Sequence, residues 1–478
     1  MAFWNRRRSI EAITSFEGGS RLKATMSWPH LIALGVGAIV GTGIYTLIGV
    51  GAAKAGPAVM LAFLVAGLVC VFAALAYAEL ATMIPASGSA YTYSYAALGE
   101  MLAWIIGWSL ILEYSLVVSA VAVGWAGYFN GFMESIGWAL PAALTSGPFG
   151  TDTPGIVNLP AVGIVGVVAG MLMLGTRESA TVNAVLVVIK VLALVAFVVI
   201  AAPHFDPANL QPFMPFGFGK TVDAAGVEVG VMAAAAIIFF AFYGFDAVST
   251  AAEETRNPKR DLTIGIVGSM VICIIIYMVV AAAAVGSMPF GQFAGSPEPL
   301  AFIARTLGSE TAATVIAGAA IVALPTVLLA FMYGQSRIFF VMARDGMLPR
   351  ALAKVSEKRG SPVLMTGVTA VLMAVIAGLF SLGELAALAN AGTLAAFIAV
   401  GASLIVLRIQ QPNRERMFKA PAWPLVGAGA ILGCIYLFIS LPVSTQVNFF
   451  IWNGAGLVIY LLFARRNTRI AKGEETAA

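Results

Sequence analysis

Charge is what this chain has least of. Asp, Glu, Lys and Arg together supply 10% of its 478 residues, against 60% hydrophobic residues and a mean hydropathy of +0.94; soluble domains carry about a quarter charged residues. That scarcity excludes a soluble globular chain and defines an integral membrane protein. Histidine is nearly absent, with His30 and His204 alone, and the three cysteines, Cys70, Cys273 and Cys434, lie in three different apolar runs. They read as small core residues, not as a disulfide framework, and there is no metal-ligand cluster. No GxxxxGKS phosphate loop occurs, so ATP-driven pumping by this chain has no support. An intramembrane enzyme would need a nucleophile with its base, or a metal set, and the apolar interior offers neither. The first 29 residues are polar, with Arg6 to Arg8 and no short apolar stretch before a cleavage site, so a cleaved signal peptide is not expected.

What the chain does have is a series of twelve apolar runs, from residues 30–51 through 447–463, most of them near the 20 or so residues that cross hydrocarbon as a helix. The basic residues report how the series is threaded. With the N-terminus inside, 23 of the 27 fall in inner segments; only Lys54, Lys220 and Arg305 fall in outer loops, and Lys190 lies within a run. The positive-inside rule then puts both termini in the cytoplasm and the chain in the cell membrane as a multi-pass protein, and it leaves no basic patch for nucleic acid. The expected organisation is a cytoplasmic segment 1–29, five runs in 30–202, an extracellular loop 203–229, five more runs in 230–407, two further helices in 408–463, and a cytoplasmic tail 464–478.

Two runs are interrupted. Gly35 to Tyr45 reads GVGAIVGTGIY, where glycines weaken a helix by about 1 kcal/mol per position relative to alanine. Phe239 to Ser249 reads FFAFYGFDAVS, with Gly244 placed 203 residues after Gly41. Small residues also serve close helix packing, but at membrane depth an unwound turn survives only where protein or a watery cavity satisfies its backbone. Interruptions in the first and sixth runs, each opening a five-helix half of opposite orientation, point to a transporter with an inverted repeat.

These stretches carry a family resemblance. GVGAIVGTGIY, the long segment Phe239 to Ile266 (FFAFYGFDAVSTAAEETRNPKRDLTIGI) and Tyr333 to Pro349 (YGQSRIFFVMARDGMLP) make the chain similar to the amino acid–polyamine–organocation superfamily, and within it to bacterial members of the cationic amino acid transporter family. The resemblance implies an all-α, LeuT-type fold: twelve transmembrane helices, ten of them in a 5+5 inverted repeat with helices 1 and 6 broken, plus two accessory helices.

Lys190 is the most informative charge. It lies about ten residues, or roughly 15 Å of helix, from the inner end of the fifth run, near the midplane. A charge there costs at least about 2.5 to 3.5 kcal/mol on insertion scales, and its side chain is too short to snorkel to either interface. It is expected to face the interior. In proton-coupled relatives a helix-five lysine ammonium occupies the place of the sodium ion found between helices one and eight elsewhere, and Lys190 matches that position. The resemblance further implies that Ile39, Val40, Gly41, Thr42 and Gly43 form the first half of a substrate site, with backbone N–H groups for a carboxylate. The carbonyls around Phe240, Ala241 and Tyr243 would accept from the amino group, and Phe240 would act as an aromatic gate. Plain core packing is the alternative for Phe240.

Glu113 is also deep, about 20 Å of helix from Glu100; substrate contact, proton handling and a buried hydrogen bond all remain open, and the resemblance favours the pocket. Asp246 either caps the inner half of the sixth helix or joins a proton path. Glu79, Glu253, Glu254, Arg256 and Arg337 are expected near the cytoplasmic end, as salt bridges of an inner gate or as solvated surface.

The expected activity is secondary-active, proton-coupled symport of L-amino acids, cationic or small neutral, by alternating access. H+ is the coupling ion and no cofactor is expected. An exchanger of the same fold, an amino acid sensor and a channel are the alternatives. The partners expected are the substrate and the lipid bilayer, with the monomer as default; a small single-span membrane partner stays an open question.

Overall fold

The computed structural model describes residues 6–14, 26–84, 88–149, 155–174, 180–250, 255–349 and 363–473. After a short α1 (Ile10–Thr14), helix α2 (Trp28–Ile39) carries Pro29 in its first turn, where the missing N–H costs no helix bond. It stops at Val40, whose backbone is extended, and the run resumes as α3 (Thr42–Tyr45) and α4 (Leu47–Ala55). Gly56, at φ +62°, turns the chain into α5 (Val59–Met83). There follow α6 (Ser89–Ala97), the 36-residue α7 (Glu100–Ser135), α8 (Leu159–Leu174) and α9 (Ala180–Ala201). The second interruption lies between α10 (Val231–Ile238) and α11 (Phe245–Thr250): a 3-10 turn over Phe239–Phe242, an extended Tyr243, and Gly244 at φ +105°.

The remaining elements are α12 (Pro258–Ser287), α13 (Phe290–Phe293), α14 (Pro299–Thr306), α15 (Glu310–Arg344), α16 (Val363–Leu379), α17 (Leu382–Gln410), α18 (Trp423–Ser440) and α19 (Val443–Ile459). Among the described residues the only strand pair is Thr221–Val222 against Glu228–Val229, in the connection before α10.

Eight helical stretches are long and apolar enough to cross a membrane among the described residues, and Trp28–Ile39, Leu159–Met173, Val231–Phe242 and Met365–Leu379 are shorter apolar helices. Each shorter helix overlaps one of the twelve apolar runs. Two of the four are short because their runs break, at Val40 and at Tyr243. The outward faces are apolar in the manner of a lipid-facing surface. On α9, Val185, Val188, Leu192, Val195 and Val199 form an exposed stripe at helical spacing, while Lys190, Leu194, Phe197 and Ala201 face inward. The protein is thus a multi-pass, nearly all-α membrane protein.

Helix α7 lies at the centre, packed most extensively against α15 and α17, while α12 packs against α2 and α5. Within α15, Pro325 cannot donate to the carbonyl of Ile321. Trp125 of α7 supplies the missing donor from its indole at 2.9 Å, so the irregularity also fixes the register of the two helices. At one end of the bundle the first and last described segments meet. Arg8 pairs with Asp345 at 3.0 Å, Arg6 donates to the Arg465 carbonyl, and Glu100 accepts from Tyr460 and Thr468.

Candidate functional site

The two interruptions lie against each other. A Cβ added to Gly43 would stand 2.2 Å from the Cα of Ala241, and one on Gly244 would stand 2.6 Å from the Cβ of Ala38, so only glycine lets the two backbones come this close. Unwinding frees carbonyls on both segments. The Tyr277 hydroxyl of α12 reaches two of them, Ile39 at 2.8 Å and Ala241 at 3.0 Å. Tyr277 is fully buried, with its ring against Phe63 and Phe242. The carbonyl of Ala241, expected to meet a substrate amine, therefore shares its lone pairs with a protein hydroxyl. Thr42 and Gly43 begin α3, where helix geometry leaves N–H groups without acceptors in the turn.

A cavity lies between the breaks, bounded by Ile39, Gly41, Thr42, Gly43, Phe240 and Tyr243, with Val117, Val121, Val327 and Phe331 closing its sides. Its lining residues are apolar apart from Thr42 and Tyr243, and its volume of about 10 Å³ is the room of a single water. An amino acid cannot enter without displacing a wall. Of the expected substrate residues, the structure brings Ile39, Gly41, Thr42, Gly43, Phe240 and Tyr243 to this cavity; Val40 and Ala241 are buried beside it. A wider groove of about 300 Å³ lies between Val157, Val162, Val371, Val375 and Leu379, but its lining is wholly apolar and offers nothing to a zwitterion.

Lys190 is fully buried. Its Nζ donates to the Gly37 carbonyl of α2 at 2.9 Å and to the Thr326 hydroxyl of α15 at 2.9 Å, and Thr326 passes its own hydrogen to Ala323. One ammonium on α9 thus bridges α2, just before its break, to α15, just after Pro325. Tyr45 adds a second tie between the same helical runs by donating to the Lys190 carbonyl at 2.8 Å.

Glu113 sits on the α7 face that carries Val117 and Val121, yet it is not itself in the cavity wall. It is 3% exposed, and its Oε2 has no hydrogen-bond partner among the described residues. Asp246 lies in the first turn of α11, with the Tyr114 hydroxyl 3.4 Å from its carboxylate. Two residues that the sequence reading did not single out complete the surroundings. Tyr277 is one. Asn390 of α17 is the other: its amide donates to the carbonyls of Ala236 and Ile237 at 2.7 and 2.9 Å, and its Oδ1 accepts from the Tyr243 hydroxyl. Both were visible in principle as lone polar side chains inside apolar runs, a placement that demands buried partners.

Of the expected gate residues, Glu79 and Arg256 lie among the described residues with their side chains. Glu79 is 1% exposed, which excludes solvated surface for it. It accepts from Arg408 at 2.7 Å and from the backbone N–H of Ala420 at 2.7 Å, and it forms an ion pair with Arg416 at 3.0 Å, all in α17 or the connection to α18. Arg416 also caps the end of α17 through the carbonyls of Leu407 and Gln411. Arg256 is exposed, and its backbone N–H donates to Met26. Glu253, Glu254 and the side chain of Arg337 lie outside the described residues.

A multi-pass bundle in which two interrupted helices abut around a small cavity has the architecture of a membrane transporter. The family model described as amino acid permease matches residues 26–464, and the chain belongs to that family, within the amino acid–polyamine–organocation superfamily. It is 45% identical over 469 residues to the branched-chain amino acid permease BcaP of Bacillus subtilis (strain 168), an alignment covering 97% of this chain and 98% of that protein. The methylthioribose transporter of the same organism is 38% identical over 98% of this chain and 99% of its own length. The vacuolar cationic amino acid transporter 2 of Arabidopsis thaliana is 37% identical over 86% of this chain and 64% of its own. Family and relatives alike are permeases and transporters, and not enzymes.

Proposed function

We propose that the chain is a proton-coupled, secondary-active importer of neutral L-amino acids with apolar side chains, working by alternating access. Twelve spans cross the cell membrane, the first ten as two inverted five-helix units, and both termini are cytoplasmic. The backbone N–H groups of Gly41, Thr42 and Gly43 receive the substrate carboxylate, and the carbonyls of the second break receive its ammonium. Ile39, Val117, Val121 and Val327 surround the side chain. That lining favours an apolar substrate over a cationic one, as does the branched-chain permease name of the relative at 45% identity.

The observation that carries proton coupling is the position of the Lys190 ammonium between Gly37 and Thr326. A cation there holds α2 to α15. Losing its proton removes both the charge and the charge-assisted character of the two hydrogen bonds, each worth about 1.5 to 3 kcal/mol. The released α2 could then move away from α15 and open the cavity. Reconstituted vesicles with an imposed pH gradient provide the test: the wild-type protein accumulates L-leucine against its gradient, whereas Lys190→Met protein shows uptake that no longer follows pH. Wild-type pH dependence in the Met variant would overturn the coupling. Counterflow without accumulation in the wild type would make the protein an exchanger.

A further inference from the structure

A carboxyl group lies one helical turn from the cavity and is shut out of it. Glu113 precedes Val117 and Val121 by one and two turns on the same face of α7, and both valines line the cavity. Across from it, α17 presents Gly392, where an added Cβ would come 3.1 Å from the Cβ of Glu113. Two residues earlier on α17 is Asn390, which holds the Tyr243 hydroxyl. Asn390 cannot readily turn away, because both hydrogens of its amide are committed to Ala236 and Ile237. The Tyr243 ring is fixed from the other side by Phe240, at 5.0 Å between centroids, and by Phe239 at 5.7 Å. Tyr243 is therefore a rigid wall of the apolar chamber, held at its hydroxyl by Asn390, two residues from the Gly392 that packs against the buried Glu113.

We infer that the Tyr243–Asn390 pair is a specificity partition: it keeps the side chain of a bound amino acid in the apolar chamber and denies a cationic side chain access to Glu113. Removing the partition joins the two compartments. A lysine or arginine side chain could then extend past the site of the lost ring, and its ammonium or guanidinium would meet the Glu113 carboxylate. This rests on the reading above that the cavity between the breaks holds the substrate.

The test is competition binding on purified full-length protein, with radiolabelled L-leucine displaced by unlabelled L-leucine, L-lysine or L-arginine. The wild type should be displaced by L-leucine and scarcely by the cationic amino acids. In Tyr243→Ala protein the affinity for L-arginine relative to L-leucine should rise by about tenfold or more, and adding Glu113→Gln should return that ratio toward the wild-type value. Asn390→Ala, which frees the ring without deleting it, should move the ratio in the same direction by less. Should Tyr243→Ala bind no amino acid, the Asn390→Ala ratio decides by the same criterion. The inference is overturned if the variants bind L-leucine with an unchanged ratio, if the gain survives Glu113→Gln, or if the wild type already binds L-arginine as well as L-leucine. A wild-type protein that binds no amino acid would instead overturn the site reading itself.

Discussion

Replacing Gly43 by alanine asks the most of this structure for the smallest change. The new Cβ would lie 2.2 Å from the Cα of Ala241 and 2.4 Å from its Cβ, against about 3.4 Å for ordinary contact, so the two broken segments must part by about 1.2 Å. The clash is with backbone on the opposing segment and cannot be relieved by rotating a side chain. Overpacking of this kind costs about 1 to 3 kcal/mol, and a displacement near 1 Å in a site built from two backbones is enough to lose about a hundredfold in function. Gly41→Ala is the internal control. Its nearest contact is Val327 Cγ2 at 3.2 Å, the end of a side chain that can yield by a few tenths of an ångström. Both variants should elute from size exclusion as the wild type does. Equilibrium binding of L-leucine should weaken by at least about tenfold in Gly43→Ala, and several times less in Gly41→Ala. Equal losses in the two variants, or wild-type affinity in Gly43→Ala, would refute the argument that close contact between the interruptions makes the site.

Other consequences follow from buried polar partners. Tyr277→Phe removes the hydroxyl shared by Ile39 and Ala241 and leaves two buried carbonyls less satisfied, a cost of about 1 to 3 kcal/mol. The break loosens while the aromatic packing stays, so KM for uptake in vesicles should rise more than the maximal rate falls, and an unchanged KM would count against it. Glu79→Ala strands the guanidinium groups of Arg408 and Arg416 in the interior. Breaking a buried pair in this way costs about 3 to 5 kcal/mol, and thermal unfolding in detergent should show a clearly lowered midpoint, with Glu79→Gln intermediate. A midpoint matching the wild type would mean that the cluster is hydrated.

The sequence displays the membrane class and the two interruptions because each follows from local chemistry. Apolar runs have a fixed length requirement, and glycine at Gly41, Gly43 and Gly244 weakens helix wherever it falls. The inward face of Lys190 could be expected for the same reason, since a midplane ammonium has no other tolerable place. Its acceptors were out of reach, because the Gly37 carbonyl and the Thr326 hydroxyl become neighbours only once α2, α9 and α15 pack. Tyr277 and Asn390 were missed for a related reason. Each is one polar residue in an apolar run, and its meaning lies in backbone groups of another helix that are available only because that helix is broken. Glu79 was expected near the inner end, but its arginines come from α17 and the connection beyond, more than three hundred residues away, where no periodicity on α5 could point. In a bundle so poor in charge, an isolated polar side chain is the part of the sequence most worth reading, because burial obliges it to find a partner and the partner reveals which helices meet.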